Sequence, residues 1–112
     1  MKTAGRNPVP GPDRLLGLLG LGLRAGSIAV GVDAVRKELQ AGRCWCVVLA
    51  QDASPRALEK VVRLAGARQV PVLAGPGADA IGAQLGKPPV MAVGVRDRAL
   101  AGGMVQLATV RS

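Results

Sequence analysis

Residues 31–55 read GVDAVRKELQAGRCWCVVLAQDASP. Val32, Val35 and Leu39 recur on one face at the 3.6-residue period of a helix, while Asp33, Arg36, Lys37 and Gln40 share the other. Ala41 and Gly42 end that helix. The run CWCVVLA at 44–50 has no polar side chain, which suits a central strand covered on both faces. Ser54 followed by Pro55 is a cap and first-turn pair that opens another helix. The stretch is therefore one α/β unit, and its basic helix starts at a glycine, an end that can face an anion.

The same pattern extends in both directions. After Pro55, the residues Leu58, Val61, Val62 and Ala65 recur at i, i+3, i+4 and i+7 and mark the core face of a helix. Residues 70–74 read as a strand near a sheet edge, because Pro71 cannot donate to a ladder. Gly75, Pro76 and Gly77 turn into a helix over 78–85, which Gly86 stops before Pro88 and Pro89. Residues 90–95 form the last strand, and 97–101 add one turn of helix before Gly102 and Gly103 loosen the chain. Towards the start, 27–30 is a short strand. Leucines at 15, 16, 18, 19 and 23 give the first helix its apolar face, from Asp13 as cap or first-turn acid to Arg24, Ala25 and Gly26. Alternating helices and strands predict an α/β fold, a three-layer α/β/α sandwich around a small four-stranded mixed sheet. The domain is expected over 12–102, with a flexible basic arm at 1–11 and a C-terminal tail at 103–112.

A chain of 112 residues, 49% of them hydrophobic, can bury one core. Fifteen Lys and Arg against seven Asp and Glu give a net charge of +8, which hardly changes near neutral pH because there is no histidine. The natural partner of such a surface is a polyanion. Eleven of the fifteen cations are Arg, whose planar fork binds phosphate or a guanine edge in two places.

Absences narrow the options further. Without His, Tyr or Phe, and with cysteines only at 44 and 46, the chain lacks zinc ligands and the parts of most acid-base or nucleophilic mechanisms. No catalytic residue, metal, cofactor or small-molecule substrate is expected. The single Trp45 argues against single-strand readers that stack bases on several aromatic rings, so RNA binding would rest on shape and charge. Cys44 and Cys46 flank Trp45 in a strand, which puts both thiols on one face and the ring on the other. They read as a redox pair or half a metal site, or as two small buried hydrophobes in a reducing cytoplasm, and the second is the plainer reading.

Lys2 and Arg6 before the leucine run imitate a signal peptide. Pro8, Pro10 and Pro12, the glycines at 17, 20 and 22, and Arg24 with no cleavage site oppose that. No run reaches the roughly 20 apolar residues of a membrane helix. The protein is expected in the cytoplasm, away from membranes.

Several motifs have more than one reading. Gly20, Gly22 and Gly26 are spaced like a dinucleotide loop, but such a loop must follow a strand and open a helix. Gly75–Asp79 does join a strand to a helix, yet it lacks the Lys-Ser/Thr of a P-loop and is more simply a turn. Asp33, Arg36 and Lys37 are either a solvated face with i+3 and i+4 pairing or, with Arg24 and Arg43 nearby in sequence, cations reaching a nucleic-acid groove.

From about residue 15 to 100 the chain resembles the kink-turn RNA-binding ribosomal-protein family (large-subunit protein seven-Ae and thirty-e type), most closely its small bacterial YlxQ-type branch. The carriers are RAGSIAVG at 24–31, GVDAVRKELQAG at 31–42, VVLAQDASP at 47–55, VPVL at 70–73, IGAQLGK at 81–87 and VMAVGVRD at 90–97. The family's Gly-x-Asn-Glu-x-x-Lys motif, which grips tandem sheared G·A pairs, falls here on Gly31, Val32, Asp33, Ala34, Val35, Arg36 and Lys37. The resemblance implies that Gly31 lets backbone approach the RNA and that Lys37 donates to a guanine edge or a phosphate. Asp33 lacks the amide of Asn and Ala34 the carboxylate of Glu, and losing such a base-edge pair costs about 1–3 kcal/mol of discrimination. A second family contact, over an extruded base, falls on Lys87, Pro88, Pro89 and Val90. The two prolines either stiffen that loop for binding or simply end a helix.

The expected function is non-enzymatic binding of structured RNA, ribosomal RNA among the candidates, by a monomer. Its expected contact residues are Arg24, Ser27, Gly31, Val32, Asp33, Arg36, Lys37, Lys87, Pro88, Pro89 and Val90. The alternative is a protein-interaction module of the translation apparatus that docks a partner on the apolar first helix. A phosphate-ligand enzyme using 75–79 has little support.

Overall fold

The computed structural model describes residues 11–107. In chain order the elements are α1 (Gly11–Ala25), β1 (Ile28–Val30), α2 (Val32–Ala41), β2 (Cys46–Leu49), α3 (Pro55–Ala67), β3 (Val72–Ala74), α4 (Ala78–Leu85), β4 (Ala92–Val95) and α5 (Arg98–Leu107). The sheet order is β1-β4-β2-β3. β4 runs antiparallel to β1 and β2, and β3 runs parallel to β2. One face packs Cys46, Val48, Val93 and Val95 against Leu15 and Leu19 of α1, Ile81 and Leu85 of α4, and Met104 of α5. The other packs Val47, Leu49 and Ala92 against Val35 and Leu39 of α2 and Val61 and Ala65 of α3. This is the expected α/β/α sandwich with a four-stranded mixed sheet.

Local chemistry explains the elements. Ser54 Oγ accepts from the Ala57 N–H at 3.2 Å with Pro55 in the first turn, so α3 starts where the cap pair placed it. All four β2 residues are buried between two neighbouring strands. β3 is an edge strand, and Pro71 accepts from the Val47 N–H at 3.0 Å through its carbonyl, the one ladder group it has. Leucine, isoleucine and methionine side chains at 15, 19, 39, 49, 73, 81 and 104 are fully buried. Each contributes about 1.5–3 kcal/mol relative to exposure.

Four expectations are corrected. The two thiols lie on opposite faces of the sheet, Cys46 among the α1, α4 and α5 side chains and Cys44 among those of α2 and α3. The strand begins only at Cys46, and a bend at Trp45 breaks the two-residue alternation that would have put them together. In α3 the buried stripe is Ala57, Val61 and Ala65, whereas Val62 is exposed, because the helix meets the sheet and α2 along a narrow line. The terminal helical turn is a full helix that continues through Gly102 and Gly103 to Leu107, because Met104 is fully buried and holds it down. The tail expected from 103 thus begins inside α5. The arm expected at 1–11 lies outside the described residues apart from Gly11, which opens α1.

Candidate nucleic-acid interface

β1, β2 and β3 run the same way and β4 opposes them, so the carboxyl ends of three strands and the start of β4 gather at one end of the sheet. Open α/β sheets bind ligands at such an end. Four segments meet there: Gly31 between β1 and α2, residues 50–54 after β2, 75–77 after β3, and 86–91 before β4. Backbone bonds tie them together. Gly31 N–H donates to Ala92 O at 2.8 Å, Ala50 N–H to Met91 O at 2.8 Å, and Gln51 N–H to Pro76 O at 3.1 Å.

Gly31 has φ 99° and ψ 155°, a conformation essentially restricted to glycine. It turns the chain from the edge strand straight into α2. Its carbonyl accepts the first helical bond, from Val35 N–H at 3.0 Å, so the N–H groups of residues 32–34 have no intrahelical acceptor. No side chain caps them. The starts of α3, α4 and α5 differ, since Ser54 caps α3, Asp97 Oδ1 accepts from Leu100 N–H at 3.0 Å in α5, and Asp52 Oδ1 accepts from Ala78 N–H at 2.8 Å in α4. The glycine turn before α4 therefore already holds a carboxylate where a phosphate would sit. The glycines at 20 and 22 lie within α1 and Gly26 closes it, which is not the strand-to-helix setting of a dinucleotide loop.

The 86–91 loop is anchored on α4. Lys87 N–H donates to Gly82 O at 2.8 Å and Val90 N–H to Ala78 O at 3.0 Å. A side chain at Gly82 would collide with the Lys87 and Pro88 carbonyls, so this glycine sets how closely the loop lies on the helix. Lys87, Pro88 and Pro89 are exposed, while the Val90 side chain is buried in the core. Val90 can thus offer a partner only its backbone.

The structure splits the expected contact residues into two groups. Gly31, Val32, Asp33, Lys87, Pro88 and Pro89 share the sheet end just described, and Arg36 and Lys37 follow along α2. Lys37 is exposed with no ion pair among the described residues, whereas Arg36 Nη1 lies 3.9 Å from Asp33 Oδ1, a weak pair with the Asp33 side chain 90% exposed. Ser27 and Arg24 lie at the opposite end, where Ser27 O accepts from Arg96 N–H at 2.8 Å and Arg24 folds back along α1 towards Gly20. β1 stands between the two groups and separates them by roughly 10 Å at about 3.3 Å per residue.

Sequence reasoning did not anticipate a groove of about 310 Å³ between α2 and α3, where Lys60 and Arg63 join Arg36 beside Glu59 and Gln40. The i, i+3 spacing of Lys60 and Arg63 was the available signal. The first helix, expected as an apolar docking face, buries Leu15 and Leu19 and leaves Leu21 exposed.

The fold and this loop-and-helix end define a class, the small α/β/α sandwiches with an open, loop-built sheet end. Residues 13–101 match the ribosomal protein L7Ae/L30e/S12e/Gadd45 family, and the chain belongs to it. It is 32% identical over 90 residues to the RNA-binding protein YlxQ of Bacillus subtilis (strain 168), covering 80% of this chain and 90% of that one, which sets it with the YlxQ-type branch. A solved Bacillus halodurans protein of unknown function matches with TM-score 0.79 and 30% identity over 83% of this chain and 94% of its own. The Giardia lamblia 15.5kD RNA binding protein has the same fold, with TM-score 0.72, 21% identity and coverage of 90% and 87%.

Proposed function

We propose that this chain is a non-enzymatic, monomeric, cytoplasmic RNA-binding protein, and that structured RNA, including kinked ribosomal stems, docks on the sheet end formed by Gly31 and the 86–91 loop. The observation that carries the reading is the uncapped start of α2, held by the Gly31 N–H bond to Ala92 at the sheet end whose 86–91 loop carries exposed Lys87. Three free N–H groups and the helix dipole there favour a phosphate or an acceptor edge. Lys37 and Arg36 continue the positive surface along α2, and Lys60 and Arg63 extend it across the groove to α3. Base reading is reduced because Asp33 and Ala34 stand where the family motif has Asn and Glu. Phosphate contacts therefore dominate affinity.

The test is a titration into a kink-turn stem and into the same stem with its G·A pairs replaced, at several salt concentrations. With about five phosphates neutralised, log K against log salt slopes near −4 to −5. Lys37→Ala weakens both stems equally if the contact is to phosphate, and mainly the kinked stem if it reads a base. Salt-independent affinity, or none for either stem at low salt, overturns the proposal.

A further inference from the structure

The one aromatic side chain of the protein stands outside both cores. Trp45 is 49% exposed at the far end of the sheet from Gly31, where its N–H donates to Val95 O at 2.8 Å as β2 begins. The Arg98 guanidinium lies over its ring, 5.4 Å from the centroid. The ring also lines a cleft of about 320 Å³ between the C-terminal ends of α2 and α3, with Leu39 and Val70 as apolar lining and Arg68 and Gln69 beside them. That volume lies within the range of small-ligand pockets.

Arg68 lines the cleft, Arg98 lies over the Trp45 ring, and Arg43 and Arg96 hold Glu38, with the Arg43 side chain 63% exposed. Of the acids at this end, Glu38 is buried with Arg43 Nη2 at 2.9 Å and Arg96 Nη1 at 3.8 Å, and exposed Asp97 accepts from Leu100 N–H at the start of α5. Arg68 spends one donor on Gln40 O at 2.8 Å and keeps the rest of its fork. Gln69 holds a positive φ of 58°, and its amide carries both a donor and an acceptor.

We infer that this cleft is a second RNA contact, which takes one unpaired base of a single-stranded segment against Trp45 while Arg68 and Arg98 hold the adjoining phosphates. A single exposed ring with a cation on it and a polar amide beside it provides what an unstacked base needs: a π-face, an edge partner and positive charge. One ring serves one base, so sequence preference is weak. The inference extends the RNA-binding reading to a site about one strand length from the first, so that a folded stem at Gly31 and its single-stranded flank can be held together.

Trp45 is its own reporter, since no other Trp or Tyr is present. Titrating the full chain with short oligouridylate at low salt should quench its emission, and an abasic ribose-phosphate oligomer should not. Trp45→Leu should lower oligouridylate affinity on the order of tenfold by anisotropy, with the fold checked by circular dichroism, while leaving kink-turn stem binding in place. Arg68→Gln should weaken the quench, and Lys37→Ala should keep it while lowering stem affinity. The inference is overturned if oligouridylate does not quench, if the abasic oligomer quenches as well, if Trp45→Leu binds unchanged, or if an acidic peptide binds better than RNA. Loss of the quench with intact stem binding refutes this site alone, and intact quench without stem binding refutes the Gly31 reading instead.

Discussion

Replacing Gly31 by Ala separates backbone strain from packing, because nothing lies within 4 Å of where the new methyl group would stand. The cost is therefore torsional. Holding a non-glycine residue near φ 99° and ψ 155° costs about 1–3 kcal/mol. A less flexible unfolded chain returns roughly 0.5–1 kcal/mol, which leaves a net loss of up to about 2.5 kcal/mol, centred on about 1 kcal/mol. If the peptide rotates to relieve the strain, the Gly31 to Ala92 hydrogen bond is lost instead, at about 0.5–1.5 kcal/mol, and the start of α2 moves. For a domain of this size a loss of about 1 kcal/mol should lower the midpoint of thermal unfolding by about 4–8 °C. Gly66→Ala is the matched control, since Gly66 lies in α3 with equally open space and no positive φ, and there the same change should stabilise by about 0.5–1 kcal/mol. Both variants are compared by circular dichroism melts, and RNA affinity is measured where both are folded. Equal shifts of the same sign in the two variants would rule out torsional strain at Gly31 as the cause, and Gly31→Ala binding a kink-turn stem like the parent would rule out its role at the interface.

Restoring the family motif with Asp33→Asn and Ala34→Glu together should raise affinity for a kink-turn stem at least tenfold, at about 1–3 kcal/mol per regained base contact, and leave the stem without G·A pairs unchanged in a gel-shift titration. The hydrogen bond from Arg43 holds the Glu38 carboxyl below its ordinary range, burial opposes it, and the charges of Arg43 and Arg96 add to the lowering. A carboxyl lowered by folding stabilises the fold above its unfolded value of 4.5 and loses that contribution as pH falls through the folded value. Glu38→Gln should thus be less stable than the parent at neutral pH, and the difference should shrink below pH 4.5 in denaturant melts. Burial pushes the Cys44 thiol up to about 11 and the Cys46 thiol to about 12. A thiol reagent at pH 8 should therefore leave both nearly untouched in the native protein and modify both once guanidinium unfolds it.

Much of this protein was legible in its sequence because the signals are local. The period of Val32, Val35 and Leu39, the Ser54 and Pro55 start, and the apolar run that became β2 are each set within a few residues, and they specify the helices, the strands and the α/β class. Gly31 and Lys37 stand out through their match to the family motif, and the basic charge is plain from composition. Tertiary structure alone decided what meets what. Strand order and direction brought the 86–91 loop beside Gly31 and sent Arg24 and Ser27 to the far end. A bend at Trp45 put Cys44 and Cys46 on opposite faces. Asp52 filled the anion position of a distant helix, and Arg98 came to lie over Trp45. Hydrophobic periodicity tells each segment which face to bury. It does not say which strand lies next to which, and at the ends of the sheet that neighbour relation decides which side chains share a site.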